Sequence, residues 1–114
     1  MRAPKTIISK RYFLINIITK SGTTLETIAN FEVISKQLKV NKKYIVVTTD
    51  YNSKLYNLAK NKKYNILEIP KNIIGRYSVF SSVSLFPLSL LDINIRELIN
   101  GALDMQKKCL NKKY

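Results

Sequence analysis

The sequence predicts an α/β fold built on a parallel sheet, and three observations carry that expectation. Near-continuous apolar runs at Tyr12–Ile18, Ile45–Thr49 and Asn65–Ile69 fit strands covered on both faces. Between them lie segments with apolar residues at three- and four-residue steps, the signature of an amphipathic helix. Strands alternating with helices favour parallel pairing with helices on the sheet faces.

Taken in order, Tyr12-Phe13-Leu14-Ile15-Asn16-Ile17-Ile18 reads as the first strand, followed by a Lys20-Ser21-Gly22 turn. Leu25, Ile28, Phe31, Ile34 and Leu38 then form one helical stripe. Thr23 with Glu26 three residues on has the capping-box form and predicts a helix start near Thr23. The β-branched run Ile45–Thr49 is the second strand, with Asp50 as the expected cap of a short helix carrying Tyr51, Leu55, Leu58 and Ala59. The third strand, Asn65–Ile69, stops at Pro70. The tetrapeptide Asn-Lys-Lys-Tyr occurs at 41–44, 61–64 and 111–114, and its two internal copies sit where a helix hands over to a strand. It is too short to mark a duplicated domain and reads as two solvated loops.

From Tyr77 to Leu91 the chain is apolar nearly all round, which predicts a deeply buried helix with a kink or break at Pro87. Asn94 and Glu97 form a second capping-box pattern. The helix they open turns Ile95, Leu98, Ile99 and Ala102 inward and ends in the basic Lys107-Lys108 segment. This gives three strands, whereas complete doubly wound sheets usually have about five or six. Residues 1–11 are too short to add a β-α unit, since a βαβ unit takes about 30 residues. The chain therefore either takes cover from a partner or is a piece of something larger.

With 114 residues the chain allows a single domain. Lys and Arg number 20 against 7 Asp and Glu, a formal charge of +13, which attracts polyanions without choosing among phosphorylated metabolites, nucleic acid and anionic membrane. One cysteine, Cys109, excludes an internal disulfide, and the absence of histidine excludes a Ser-His-Asp triad and an ordinary zinc site. The Tyr77–Leu91 stretch is shorter than the roughly 20 apolar residues of a membrane span, and the N-terminus has no signal-peptide pattern. The expectation is a cytoplasmic protein with no membrane partner.

Chemistry concentrates at residues 19–27, Thr-Lys-Ser-Gly-Thr-Thr-Leu-Glu-Thr, between the first strand and its helix. Unpaired N–H groups and the helix dipole favour an anion at such a start. Gly22 permits close backbone approach, Ser21, Thr23 and Thr24 offer hydroxyls, and Lys20 supplies a charge. The G-x-x-x-x-G-K-[ST] spacing of a P-loop is absent. A Ser/Thr-rich helix cap with no ligand is the plainer alternative.

Ile17–Phe31 closely resembles the phosphate-binding segment of the glucose-6-phosphate isomerase family, whose members contain two sugar-isomerase (SIS) domains. Ile73-Ile74-Gly75-Arg76-Tyr77-Ser78 and the residues after it look like the family's G-G-R-[FY]-S signature. The resemblance covers roughly residues 12–106 and implies an incomplete first SIS domain, a flavodoxin-like three-layer sandwich with a parallel sheet. It implies a partial SIS domain over residues 12–92, an N-terminal tail over 1–11 and a C-terminal helix with a basic tail over 93–114.

It further implies that Thr19, Lys20, Ser21, Gly22, Thr23 and Thr24, with Thr27, cradle the phosphate of a hexose 6-phosphate. Gly75 would lie near the substrate, and Arg76 would stabilise the enediolate formed between glucose 6-phosphate and fructose 6-phosphate, with no cofactor or metal. A fixed guanidinium suits that role, because abstracting a proton beside a carbonyl builds negative charge on oxygen. The sequence departs from the family pattern at Ile74, where the first glycine is usual, and at Ser84, where glycine is usual after Val83. The Q-x-G-V-E segment with the family's glutamate base and the ring-opening histidine are both missing, so the isolated chain is expected to be inactive. A homodimer or a complementing isomerase fragment are the protein partners this leaves open. Two other readings are a stand-alone phosphosugar-binding module and a basic nucleic-acid-binding protein. Against the latter, the lysines fall in scattered loops and the tyrosines match no RNA-binding arrangement.

Overall fold

In a computed structural model that describes residues 13–111, the chain runs β1 (Ile15–Ile18), α1 (Leu25–Leu38), β2 (Ile45–Asp50), α2 (Lys54–Lys62), β3 (Asn65–Ile69), α3 (Ser82–Leu90) and α4 (Ile95–Leu110). Short 3₁₀ turns occupy Lys42–Tyr44 and Gly75–Tyr77. The three strands are parallel in the order β1-β2-β3, with Ile15 opposite Ile45 and Val47 opposite Ile66. This is the expected α/β architecture, an incomplete sandwich with helices flanking a parallel sheet.

The central strand explains why its sequence is apolar without alternation. Every residue from Ile45 to Thr49 is buried, because both sheet faces are covered there. The core joins Ile17, Phe31, Ile45, Val47, Leu55 and Ala59, and Ile15, Val40, Tyr64 and Ile66 pack around it. Phe31 and Tyr64 meet edge to face with centroids 6.0 Å apart, the geometry that the ring quadrupoles favour. The buried hydroxyls of β2 are satisfied: Thr48 bonds Asn16 Oδ1 at 3.2 Å and Thr49 donates to the Lys20 carbonyl at 3.3 Å.

Several boundaries differ from those the sequence suggests, each for a local reason. β1 begins at Ile15 because it pairs only with β2, whose first residue, Ile45, lies opposite it; Tyr12 lies outside the described residues. Thr24 precedes α1 as its cap residue, so Glu26 falls at the second helical position and the Thr23–Glu26 capping box does not form. Thr23 instead donates its hydroxyl to Ser21 Oγ at 2.9 Å. Asp50 continues β2 opposite Ile69, and Ser53 caps α2 by accepting from the Tyr56 amide at 3.0 Å. The Asn94 cap of α4 is as expected, accepting from the Glu97 amide at 3.2 Å.

The apolar 77–91 stretch differs most. It divides into the Gly75–Tyr77 turn and the nine-residue α3, which runs through Pro87 and has no buried residue. α3 packs on β3 and α4 packs on α3. The Cα radius of gyration is 17.4 Å, with extents of 58 × 32 × 29 Å, against about 13 Å for a compact chain of 100 residues. The first Asn-Lys-Lys-Tyr copy forms the 3₁₀ turn capped by Asn41, and the second ends α2. Residues 112–114 of the third lie outside the described residues. Lys39 and Lys63 close α1 and α2 in the left-handed conformation, at φ 48° and 60°.

Candidate functional site

Because the strands are parallel, the loops that leave their carboxyl ends share one edge of the sheet, where open α/β sheets bind ligands. The loop after β1 is anchored to β2 by its main chain. The Thr19 amide donates to the Thr48 carbonyl at 3.1 Å and the Asp50 amide to the Lys20 carbonyl at 3.2 Å. Gly22, at φ 65°, turns the chain against the start of α2. A Cβ there would stand 2.7 Å from Ser53 Oγ and 2.9 Å from the Leu55 amide nitrogen, so only glycine fits.

Thr19 is buried, and its Oγ1 lies 2.8 Å from that of Thr24. That bond turns the Thr24 hydroxyl away from its own helix, and α1 receives no side-chain cap. The first-turn amides have no intrahelical acceptors and stand at the positive end of the helix dipole, so they are suited to an oxyanion. Ser21, Thr23 and Thr24 are exposed beside them, and Thr27 is half-buried in the first turn. Glu26, also in that turn, is exposed.

Lys20 joins this loop to the one after β3. Its Nζ donates to the Ile73 carbonyl, with the Lys71 carbonyl at 3.5 Å. Three residues beyond Ile73 is Arg76, exposed within the Gly75–Tyr77 turn. Two hydroxyls hold that turn: Ser78 donates to the Gly75 carbonyl and Ser81 to the Ser78 carbonyl, each at 2.6 Å. Ser82 ties the segment back to β3 through the Glu68 carbonyl at 2.8 Å. A Cβ at Gly75 would meet no atom within 4 Å, so nothing in this chain demands glycine there.

A groove of about 510 Å³ between α1 and α2 touches this edge only at Gly22 and Thr23. Its floor is Ile28, Phe31, Leu55 and Leu58, and it includes neither Lys20 nor Arg76. Sequence reading missed Ser53 here and gave its capping role to Asp50. Ser53 both caps α2 and shares a 2.9 Å bond with the Thr49 hydroxyl. Asp50 Oδ1 is buried beside the loop with no hydrogen-bond partner among the described residues. Asp50 and Ser53 are both cap-type residues ahead of one helical stripe, and only the β2–β3 register chooses between them.

A family profile described as phosphoglucose isomerase matches residues 5–113. The chain belongs to the phosphoglucose isomerase family. It is 41% identical over 103 residues to the glucose-6-phosphate isomerase of Methanocaldococcus jannaschii, covering 87% of this chain and 25% of that relative. The glucose-6-phosphate isomerase of Mycoplasmopsis pulmonis is also 41% identical, over 102 residues, covering 83% of this chain and 24% of that protein. The chain thus spans about a quarter of the length of the curated relatives it matches. A crystal structure of a hypothetical protein from Thermus thermophilus superposes with a TM-score of 0.85 at 32% identity, covering 93% of this chain and 27% of the other. Both motifs of the phosphoglucose isomerase resemblance, at 17–31 and 73–83, fall inside the matched region. No helix among the described residues is long and apolar enough to cross a membrane.

Proposed function

We propose that this chain is the phosphate-binding part of a glucose-6-phosphate isomerase, taking hexose 6-phosphates at the carboxyl edge of its sheet. Thr19, Lys20, Ser21, Gly22, Thr23 and Thr24, with Thr27, hold the phosphate through hydroxyls, the uncapped amides of α1 and the Lys20 ammonium. Arg76, next to the substrate-proximal Gly75, stabilises the negative charge that develops as a proton moves between C1 and C2. The observation that carries this reading is the Lys20 bond to the Ile73 carbonyl, which ties the anion loop to the turn bearing Arg76.

The chain has no histidine and no Q-x-G-V-E segment. A positioned general acid or base contributes about 10²–10⁴-fold each, so the isolated chain binds phosphosugar without appreciable turnover. Calorimetric titration with fructose 6-phosphate, fructose and inorganic phosphate tests the reading. Heat from the two phosphates and none from fructose is expected. The same heat from all three, no heat from any, or turnover matching that of a full-length relative would overturn it. A stand-alone phosphosugar-binding module is the second reading, favoured by the self-contained core beneath α1 and α2. Both readings expect a thermal transition that rises with added fructose 6-phosphate; an affinity for it as high as that of a full-length relative would favour the module, and a much weaker one the isomerase part.

A further inference from the structure

We propose that the amino edge of the sheet, opposite the loops assigned to phosphosugar, binds single-stranded nucleic acid. The inference goes beyond the isomerase reading and uses none of its residues. In sequence the lysines look scattered, but the parallel topology returns each helix to one edge before the next strand starts. Lys39 closes α1, Lys42 and Lys43 lie in the 3₁₀ turn ahead of β2, and Lys60, Lys62 and Lys63 end α2 ahead of β3. All six are exposed. Asn65 joins the two loops, its Nδ2 donating to the Lys43 carbonyl at 3.0 Å and the Ile45 carbonyl at 3.2 Å. Segments 33–49 and 51–67 contain no Asp or Glu, so nothing within them offsets this charge. The helix dipole accounts for Lys60 and Lys62 in the last turn of α2, but not for Lys42 and Lys43, which lie outside both α-helices.

A second observation, independent of charge, selects the ligand. Tyr44 is 45% exposed and, with Phe13, walls a cleft of about 450 Å³ at this edge, which Gln37, Lys39 and Asn41 also line. The Lys43 ammonium stands 4.8 Å from the centre of the Tyr44 ring, so cation and ring share one surface. Aromatic walls suit the face of an unpaired base, and side-chain amides suit its edge. A row of cations along the phosphates with bases on aromatic side chains is how single strands are held with little sequence preference. A duplex keeps its bases stacked inside and offers none to the cleft. A lipid surface is bound through an exposed apolar helix face flanked by cations, and neither loop is such a helix.

The test uses the full chain and a fluorescent oligouridylate of about 12 nucleotides, a length within the range of single-strand sites, followed by anisotropy across a potassium chloride series. Saturable binding that weakens as salt rises is expected, since each cation on a phosphate contributes about −0.7 to the log–log slope. Lys42→Gln with Lys43→Gln should make that slope shallower by about 1.4, whereas Lys107→Gln with Lys108→Gln on α4 should leave it unchanged. Tyr44→Ala and Tyr44→Leu should each weaken binding at least about fivefold and Tyr44→Phe should not, which reads the ring rather than the fold. No binding, or equal losses from the two lysine pairs as net charge alone would give, overturns the inference. So does indifference to loss of the Tyr44 ring, or a preference for phosphatidylserine vesicles over the oligonucleotide. Bound oligouridylate should leave fructose 6-phosphate affinity unchanged, because that ligand is assigned to the opposite edge. A chain that binds the oligonucleotide but no phosphosugar counts against the proposed function alone.

Discussion

Lys20 and Ile73 are 53 residues apart in sequence, and the side chain of the first donates to the main-chain carbonyl of the second. One ammonium thus belongs to both loops at the carboxyl edge of the sheet, and its three donors leave capacity for an anion as well. The bond ties the loop after β1 to the segment just ahead of the Gly75–Tyr77 turn, which carries Arg76.

Lys20→Ala is expected to weaken fructose 6-phosphate binding at least about tenfold, since a hydrogen bond to a charged group contributes about 1.5–3 kcal/mol. Arg76→Ala should change inorganic phosphate affinity by no more than about twofold, being assigned to the sugar carbons rather than the phosphate. Isothermal titration of the two variants with both ligands distinguishes these roles. Equal losses of inorganic phosphate affinity would contradict the assignment.

Gly22→Ala combines a left-handed backbone with a Cβ pressed against Ser53 and the Leu55 amide. A destabilisation of about 2 kcal/mol is expected, read as a lower urea midpoint with unchanged slope. Anion affinity should fall with it, because the loop must move to relieve the contact.

Ser53→Ala removes the α2 cap and one partner of the Thr49 hydroxyl. Loss of about 1 kcal/mol is expected from the cap. Asp50→Ala should not reproduce the helix effect, because Asp50 belongs to β2; helicity followed by circular dichroism through the melt separates the two.

Val47 is fully buried at the middle of the central strand. Val47→Ala should cost about 2 kcal/mol through the cavity it leaves. Val33→Ala, on the exposed side of α1, should stay within about 0.5 kcal/mol in the same denaturation experiment.

The elements that were legible in sequence are those whose pattern is set by their own neighbours. The run Ile45–Thr49 could only be a strand covered on both sides; of the Leu25–Leu38 stripe Phe31 alone is buried, Ile28 and Leu38 are half-buried, and Leu25 and Ile34 stay exposed. Caps were less legible, because Asp50 and Ser53 are chemically equivalent candidates and strand register decides between them. The 77–91 stretch misled for a different reason. Its apolar composition predicts burial, whereas a turn at Gly75–Tyr77 shortens the helix to the nine residues of α3, none of them buried. Sequence singled out residues 19–24 and the Gly75–Arg76 segment as candidates, and both lie in loops at the carboxyl ends of strands; the Lys20–Ile73 tie between them was not legible, since a lysine bound to a distant carbonyl leaves no spacing or pattern.

Five described positions adopt a left-handed backbone: Lys39, Asn52, Lys63, Asp92 and Gly22. Glycine stands at only one of them, the one where a side chain would strike α2. Elsewhere the chain tolerates a torsional penalty that open surroundings make survivable. At the ends of α1 and α2 this leaves unclaimed thermal tolerance, about 1 kcal/mol for each of Lys39→Gly and Lys63→Gly. Such replacements would harden the scaffold from the edge opposite the ligand loops while trimming the cationic excess.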